Sequence, residues 1–113
     1  MAAFQDLEPP VLRRLLDERA ALQLIDVRTP EEVARGAIPG AQSLPLHQLP
    51  LRLDALDKER SVVFYCQSGA RSAQACAYLA QHGHDRIYNL RGGILAWIRH
   101  GLPLEPLMST SSL

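Results

Sequence analysis

The chain is short of cysteine, of aromatic residues and of any surplus of charge, and each shortage closes off a class of protein. Two cysteines in 113 residues cannot staple a multi-bridge secreted scaffold, and in a reducing compartment a disulfide is not the default. Twelve basic and twelve acidic side chains leave a formal net charge of zero, which supplies neither the footprint of a nucleic-acid binder nor a polybasic membrane anchor. No nucleic-acid and no membrane partner is expected. No apolar run approaches the roughly 18 residues of a spanning helix. The first residues, MAAFQDLEPP, carry Asp6 and Glu8 where a secretory leader has positive charge and then an apolar stretch. The expected location is cytoplasmic. Hydrophobic residues make up 47% and charged residues 21%, the balance of a chain that folds around a core, and this length suits one domain.

Apolar periodicity alternates between strand and helix. Residues 4–7 read as a short strand, and Val11, Leu12, Leu15 and Leu16 follow at helical spacing after two prolines suited to a helix start. LQLIDV is a compact β run, and EEVARG after it is a short acidic-first helix stopped by Gly36. Gly36, Pro39 and Gly40 form a turn before a brief strand at 42–44. HQLPLRLDALDKE places Leu49, Leu53 and Leu56 along one helical stripe, with Pro50 in its first turn. SVVFYC is the most strongly β run, residues 70–81 return to helical spacing up to Gly83, RIYNL is a last strand, and RGGILAWIRHG turns through two glycines into a helix. Strands alternating with helices imply a mainly parallel sheet covered on both faces, because parallel neighbours need crossovers. Sites in such sheets lie beyond the carboxyl ends of the strands, and Cys66 sits at one. Residues 1–103 form the expected domain and 104–113 a frayed tail.

The stretch YCQSGARSAQ therefore draws the chemistry. If a buried strand ends at Tyr65 and a helix opens at Ala70, residues 66–71 form a loop whose amides turn inward around the sulfur. Free helix-start N–H groups and the positive helix end both favour an anion there. Gly69 permits positive φ, Ser68 and Ala70 leave room, and Arg71 adds a permanent cation. Thiols in such settings fall below their usual pKa of about 8.5, which makes Cys66 a candidate nucleophile; the bland alternative is a small hydrophobe closing a core strand. Cys76 shares a helical face with Ala73, Ala77 and Ala80 and reads as core, so no Cys66 to Cys76 disulfide is expected.

On these residues the chain resembles the rhodanese family of sulfurtransferases in its small single-domain form, over residues 4–102. Besides the loop, LIDVRTPEEVARGAIPGAQSLPL at 24–46 is similar to the family's first conserved region, and NLRGGILAW at 89–97 to its closing segment. The resemblance implies an α/β fold with a five-stranded, mainly parallel sheet flanked by helices. It implies that Cys66 takes the outer sulfur of thiosulfate or another small anionic donor as a persulfide and hands it to cyanide, a cellular thiol or a protein acceptor. Gln67, Ser68, Gly69, Ala70, Arg71 and Ser72 become the substrate-binding residues, and neither metal nor organic cofactor is required. Two positions depart from the family pattern: Ala37 stands where many members have His, and Gln67 where several thiosulfate users have a basic residue. With Gln67 in place, Arg71 is the only cation of the loop, which puts thiosulfate itself in question.

Asp26 and Arg28 are candidates to support the loop, although a structural ion pair is the simpler reading. Arg91 reads as a pocket rim or a solvated side chain, Trp97 with Ile94 and Ile98 as core, and His82 with His84 as an exposed turn rather than a metal site. Two rivals remain. A cysteine phosphatase has five residues, not four, between its cysteine and arginine, and a non-catalytic binding or sulfur-carrier module has no need of a complete loop.

Overall fold

The computed structural model describes residues 4–105. Five strands, β1 (Gln5–Leu7), β2 (Leu22–Asp26), β3 (Gln42–Ser43), β4 (Ser61–Tyr65) and β5 (Ile87–Leu90), form one sheet in the order β1-β5-β4-β2-β3. Every pairing is parallel. Four α-helices, α1 (Pro9–Asp17), α2 (Pro30–Val33), α3 (Ala70–Gln81) and α4 (Gly93–Arg99), supply crossovers and cover both faces. The expected class and strand number hold.

Strand β4 shows why the sheet is buried on both sides. Val62, Phe64 and Cys66 point into the cluster containing Ala75, Cys76 and Leu79 of α3. Val63 and Tyr65 point into the opposite cluster, with Leu12 of α1 and Ile94 and Trp97 of α4. Alternation by two residues thus sends Cys66 to the α3 side, which decides what surrounds its sulfur. Trp97 is fully buried and its Nε1 donates to the Pro103 carbonyl at 2.7 Å; truncation to Ala would cost about 3–5 kcal/mol.

The structure corrects several sequence expectations. The helix expected around Leu49, Leu53 and Leu56 is two 3-10 turns, Leu46–Leu51 and Leu53–Ala55. Pro50 lies too deep for an α-helical first turn, where its ring would meet the carbonyl four residues back, so i to i+3 bonds such as Arg52 N to Leu49 O, 3.1 Å, take over. Leu49 and Leu56 are nonetheless buried. The inward face of α3 is Ser72, Ala75, Cys76 and Leu79; Ala77 is exposed and Ala73 and Ala80 are half-buried, so only Cys76 of the expected face is fully packed. Ile98 is 46% exposed rather than core, and His84 is buried while His82 is exposed. At the start of the expected tail, Ala37 and Glu105 exchange backbone hydrogen bonds of 2.9 and 2.7 Å, beside Gly36. The rest of the expected tail, 106–113, lies outside the described residues. Among the described residues no helix is long and apolar enough to cross a membrane.

Candidate active site

Strand β4 ends at Tyr65, and the chain turns at once over the first residues of α3. Gly69 caps that helix at φ +110°, a left-handed conformation that glycine takes without a Cβ penalty. The turn aims donors at the Cys66 sulfur: Gly69 N lies 3.1 Å from Sγ, Ser72 N 3.4 Å and Ser72 Oγ 3.4 Å. Burial alone would push the thiol pKa up. Hydrogen bonds from the Ser72 hydroxyl and from the amides of Ser72, Gly69 and Ser68 outweigh it and hold Cys66 below its ordinary value. The residue is only 1% exposed, so its sulfur is the floor of the loop while Ser68 and Ala70 form the exposed rim.

A second layer fixes the loop from behind. Ile94 N donates to the Cys66 carbonyl at 2.9 Å and Leu95 N to the Gln67 carbonyl at 3.2 Å. The opening amides of α4, which have no partners within their own helix, therefore lock the first two peptide planes of the loop. Gly93 makes this approach possible. A Cβ there would stand 2.6 Å from the Cys66 carbonyl oxygen and closer still to that of Gln67, and its φ is +65°. Asn89 at the end of β5 completes the support. Its Nδ2 donates to the Gly69 carbonyl at 3.3 Å, which turns Oδ1 toward the Ser72 hydroxyl. That hydroxyl has one proton and three acceptors in reach: Asn89 Oδ1, the Gly69 carbonyl at 3.2 Å and Cys66 Sγ.

Arg71 is less free than its place in the sequence suggests. Its Nη1 and Nη2 lie 2.8 and 2.9 Å from the two carboxylate oxygens of Glu32, a forked pair that ties the loop to α2. Chiefly through the Arg71 hydrogen bonds, Glu32 is pulled down to about 2. Glu32 also closes a capping box with Thr29 at the start of α2.

Asp26 and Arg28 form a buried pair with Nη2 to Oδ2 at 2.7 Å. Burial works against the guanidinium charge, and Asp26 more than offsets it. The remaining Arg28 bonds go to the carbonyls of Gly36, 2.8 Å, and Glu32, 3.4 Å, so the pair supports the α2 segment and touches the cysteine loop by no hydrogen bond. Its reach toward the loop is indirect, through Glu32 and Arg71. Arg91 is exposed and pairs loosely with Glu8 at 3.5 Å.

Of the expected site residues, Cys66, Gly69 and Ser72 converge on the sulfur, Ser68 contributes its amide, Gln67 is anchored from α4, and Ala70 opens α3. Glu32, Asn89 and Gly93 were not singled out for the site by the sequence. Glu32 was legible only as helix-start acid, and Asn89 and Gly93 only as parts of the NLRGG segment.

The geometry has relatives. The Rhodanese-like domain model matches residues 8–100. A sulfurtransferase of Allochromatium vinosum is 58% identical over 92 residues, covering 81% of this chain and 85% of that one. The thiosulfate sulfurtransferase GlpE of Stutzerimonas stutzeri is 36% identical, covering 93% and 94%. Among solved structures, a rhodanese-related protein of Thermoplasma volcanium superposes with a TM-score of 0.81 at 29% identity, covering 89% of this chain and 97% of that one. A domain match across most of the chain, the shared sheet and the cysteine loop at the end of β4 together place this protein in the rhodanese-like family.

Proposed function

We propose that the protein is a sulfurtransferase in which Cys66 carries the transferred sulfur as a persulfide. The observation that carries the reading is the set of donors around one buried sulfur, Gly69 N, Ser72 N and Ser72 Oγ, with a thiol pKa held low. The family match and relatives named as sulfurtransferases support it.

In the first half-reaction the Cys66 thiolate attacks the outer sulfur of a donor. A bond forms between Sγ and that sulfur, the donor's sulfur–sulfur bond breaks, and the leaving group departs with the electron pair, as sulfite when thiosulfate is the donor. In the second, a nucleophile such as cyanide or a thiolate attacks the outer sulfur of the persulfide and returns the thiolate. The covalent intermediate divides the transfer into two easier steps, and fixed amides stabilise the sulfur anion in both. Amides held from behind by α4 need little reorganisation as charge moves.

Intact-mass measurement after incubation with a sulfane donor tests the reading. Wild-type protein gains one sulfur atom that a thiol or cyanide removes, and Cys66→Ser, folded by circular dichroism, gains none. A mass gain that persists in Cys66→Ser removes that residue from the chemistry. Hydrolysis of a small aryl phosphate should be negligible, because the loop is one residue shorter than a phosphatase loop and its guanidinium is held by Glu32; brisk phosphate release without sulfur transfer would favour the phosphatase reading.

A further inference from the structure

The loop's own cation is committed before any donor arrives. Both terminal nitrogens of Arg71 are engaged by Glu32. Glu32 is in turn fixed by the Thr29 amide at 2.9 Å and the Thr29 hydroxyl at 3.2 Å, while its backbone carbonyl accepts from Arg28. The other cations nearby do not replace Arg71. Position 67 is Gln, Arg28 is consumed by Asp26, and Arg35 is exposed on the rim of a pocket of about 130 Å³ that runs past Glu32, Gln67, Ile94 and Ile98.

Resting on the sulfur-transfer reading, we infer that Glu32 is a donor-specificity residue: by holding the Arg71 guanidinium it biases the loop against the small dianion thiosulfate and toward alkyl persulfides, R–S–SH. The charge balance of the two reactions carries the distinction. Attack of the Cys66 thiolate on thiosulfate brings three negative charges together and yields a persulfide anion and sulfite dianion. Attack on R–S–SH forms the new sulfur–sulfur bond, breaks the donor's own, leaves the donor's proton on the outer sulfur and expels one thiolate, so the reacting sulfurs carry a single negative charge throughout; an ionised persulfide brings two, still one fewer than thiosulfate. The loop amides and helix end suit the second case. The first calls for a free cation, and that cation is paired.

Steady-state kinetics with cyanide as acceptor test the inference, with thiosulfate and glutathione persulfide as donors whose kcat/KM values are compared as a ratio. In Glu32→Gln the thiosulfate-to-persulfide ratio should rise roughly tenfold, through thiosulfate KM, as one partly exposed charge pair is opened. The rise should shrink with added salt and vanish in the double variant Glu32→Gln with Arg71→Ala. A ratio that stays level or falls in folded Glu32→Gln overturns the inference, as does a rise that survives loss of Arg71. Sulfate supplies an arm that needs no variant: it should protect Cys66 of the wild-type protein from alkylation only weakly, and protection at low millimolar sulfate overturns the inference. Failure of wild-type protein to take sulfur from either donor would instead overturn the sulfur-transfer reading itself.

Discussion

Cys66 and Cys76 are almost equally hidden, 1% and 0% exposed, and belong to the same apolar cluster, yet their thiols are driven in opposite directions. Burial pushes Cys76 up to about 12, helped by the negative charges of Asp6 and Cys66, and among the described residues its thiol donates a hydrogen bond, to the Tyr88 carbonyl at 3.5 Å, and receives none. Burial acts on Cys66 too, but Cys66 lies where α3 begins and receives N–H and O–H donors; Cys76 lies in the middle of α3, where backbone amides are spent within the helix. Depth alone therefore does not distinguish a nucleophile from packing. The direction of the nearest hydrogen bonds does.

The sharpest way to break this comparison is to label both thiols in the native protein. A thiol at about 12 holds on the order of one thiolate in 10⁴ at pH 8. Iodoacetamide should therefore modify Cys66 at least ~10³ times faster than Cys76, read by peptide mass spectrometry. Comparable rates would mean that access, not charge, governs the two sulfurs. Next in size is Gly93→Ala, which forces a methyl group against the Cys66 and Gln67 carbonyls at a position with φ +65°. It should cost about 2–4 kcal/mol in denaturant unfolding and should slow Cys66 alkylation while leaving Cys76 as it was. Unchanged stability would show that α4 does not clamp the loop.

Much of this arrangement was legible in the chain before its fold was known. SVVFYC marked a buried strand, and the glycine and arginine after it marked an anion-binding helix start, because both signals are local. Residues 70–81 and the sheet class could be read for the same reason. The missing parts are long-range. Glu32 lies 39 residues from Arg71, Asn89 17 residues from Ser72, and the α4 amides reach back from Ile94 to Cys66. Nothing in the spacing of NLRGG says that its asparagine braces a serine hydroxyl or that its second glycine clears space for two carbonyls. Asp26 and Arg28 sit at a strand end that made them candidates for the loop, and the buried contact matches the simpler reading of a structural ion pair, with Arg28 also bonded to the Gly36 carbonyl of the α2 segment. The helix expected around Pro50 failed because leucine spacing is blind to one proline ring.

Ser72→Ala sharpens the comparison more finely, since it removes one donor to Cys66 and keeps the Ser72 amide. The pH midpoint of Cys66 alkylation should move up toward the ordinary thiol value, and sulfur transfer near neutrality should fall several-fold as the thiolate fraction drops. The Cys76 thiol bonds to the Tyr88 carbonyl and not to the Ser72 hydroxyl, and its rate should not follow. A midpoint that stays put would assign the low pKa to the amides alone.

The smallest effect concerns stability and the pair that ties α2 to the loop. Glu32 is held at about 2 in the folded protein against an ordinary 4.5, so folding favours its ionised form. The resulting stabilisation is fully present above about pH 5, where both folded and unfolded carboxyls are charged, and is lost as pH falls from there through about 2. Because the Glu32 side chain is 23% and the Arg71 side chain 35% exposed, solvent screening leaves about 1 kcal/mol of it. Denaturant unfolding of wild-type protein between pH 5 and 2.5 should show that extra loss relative to Glu32→Gln, with the two profiles running parallel above pH 5. Parallel profiles throughout would mean that Glu32 gains nothing from Arg71 on folding, and the clamp on the loop's cation would then lack the strength to compete with a dianionic donor.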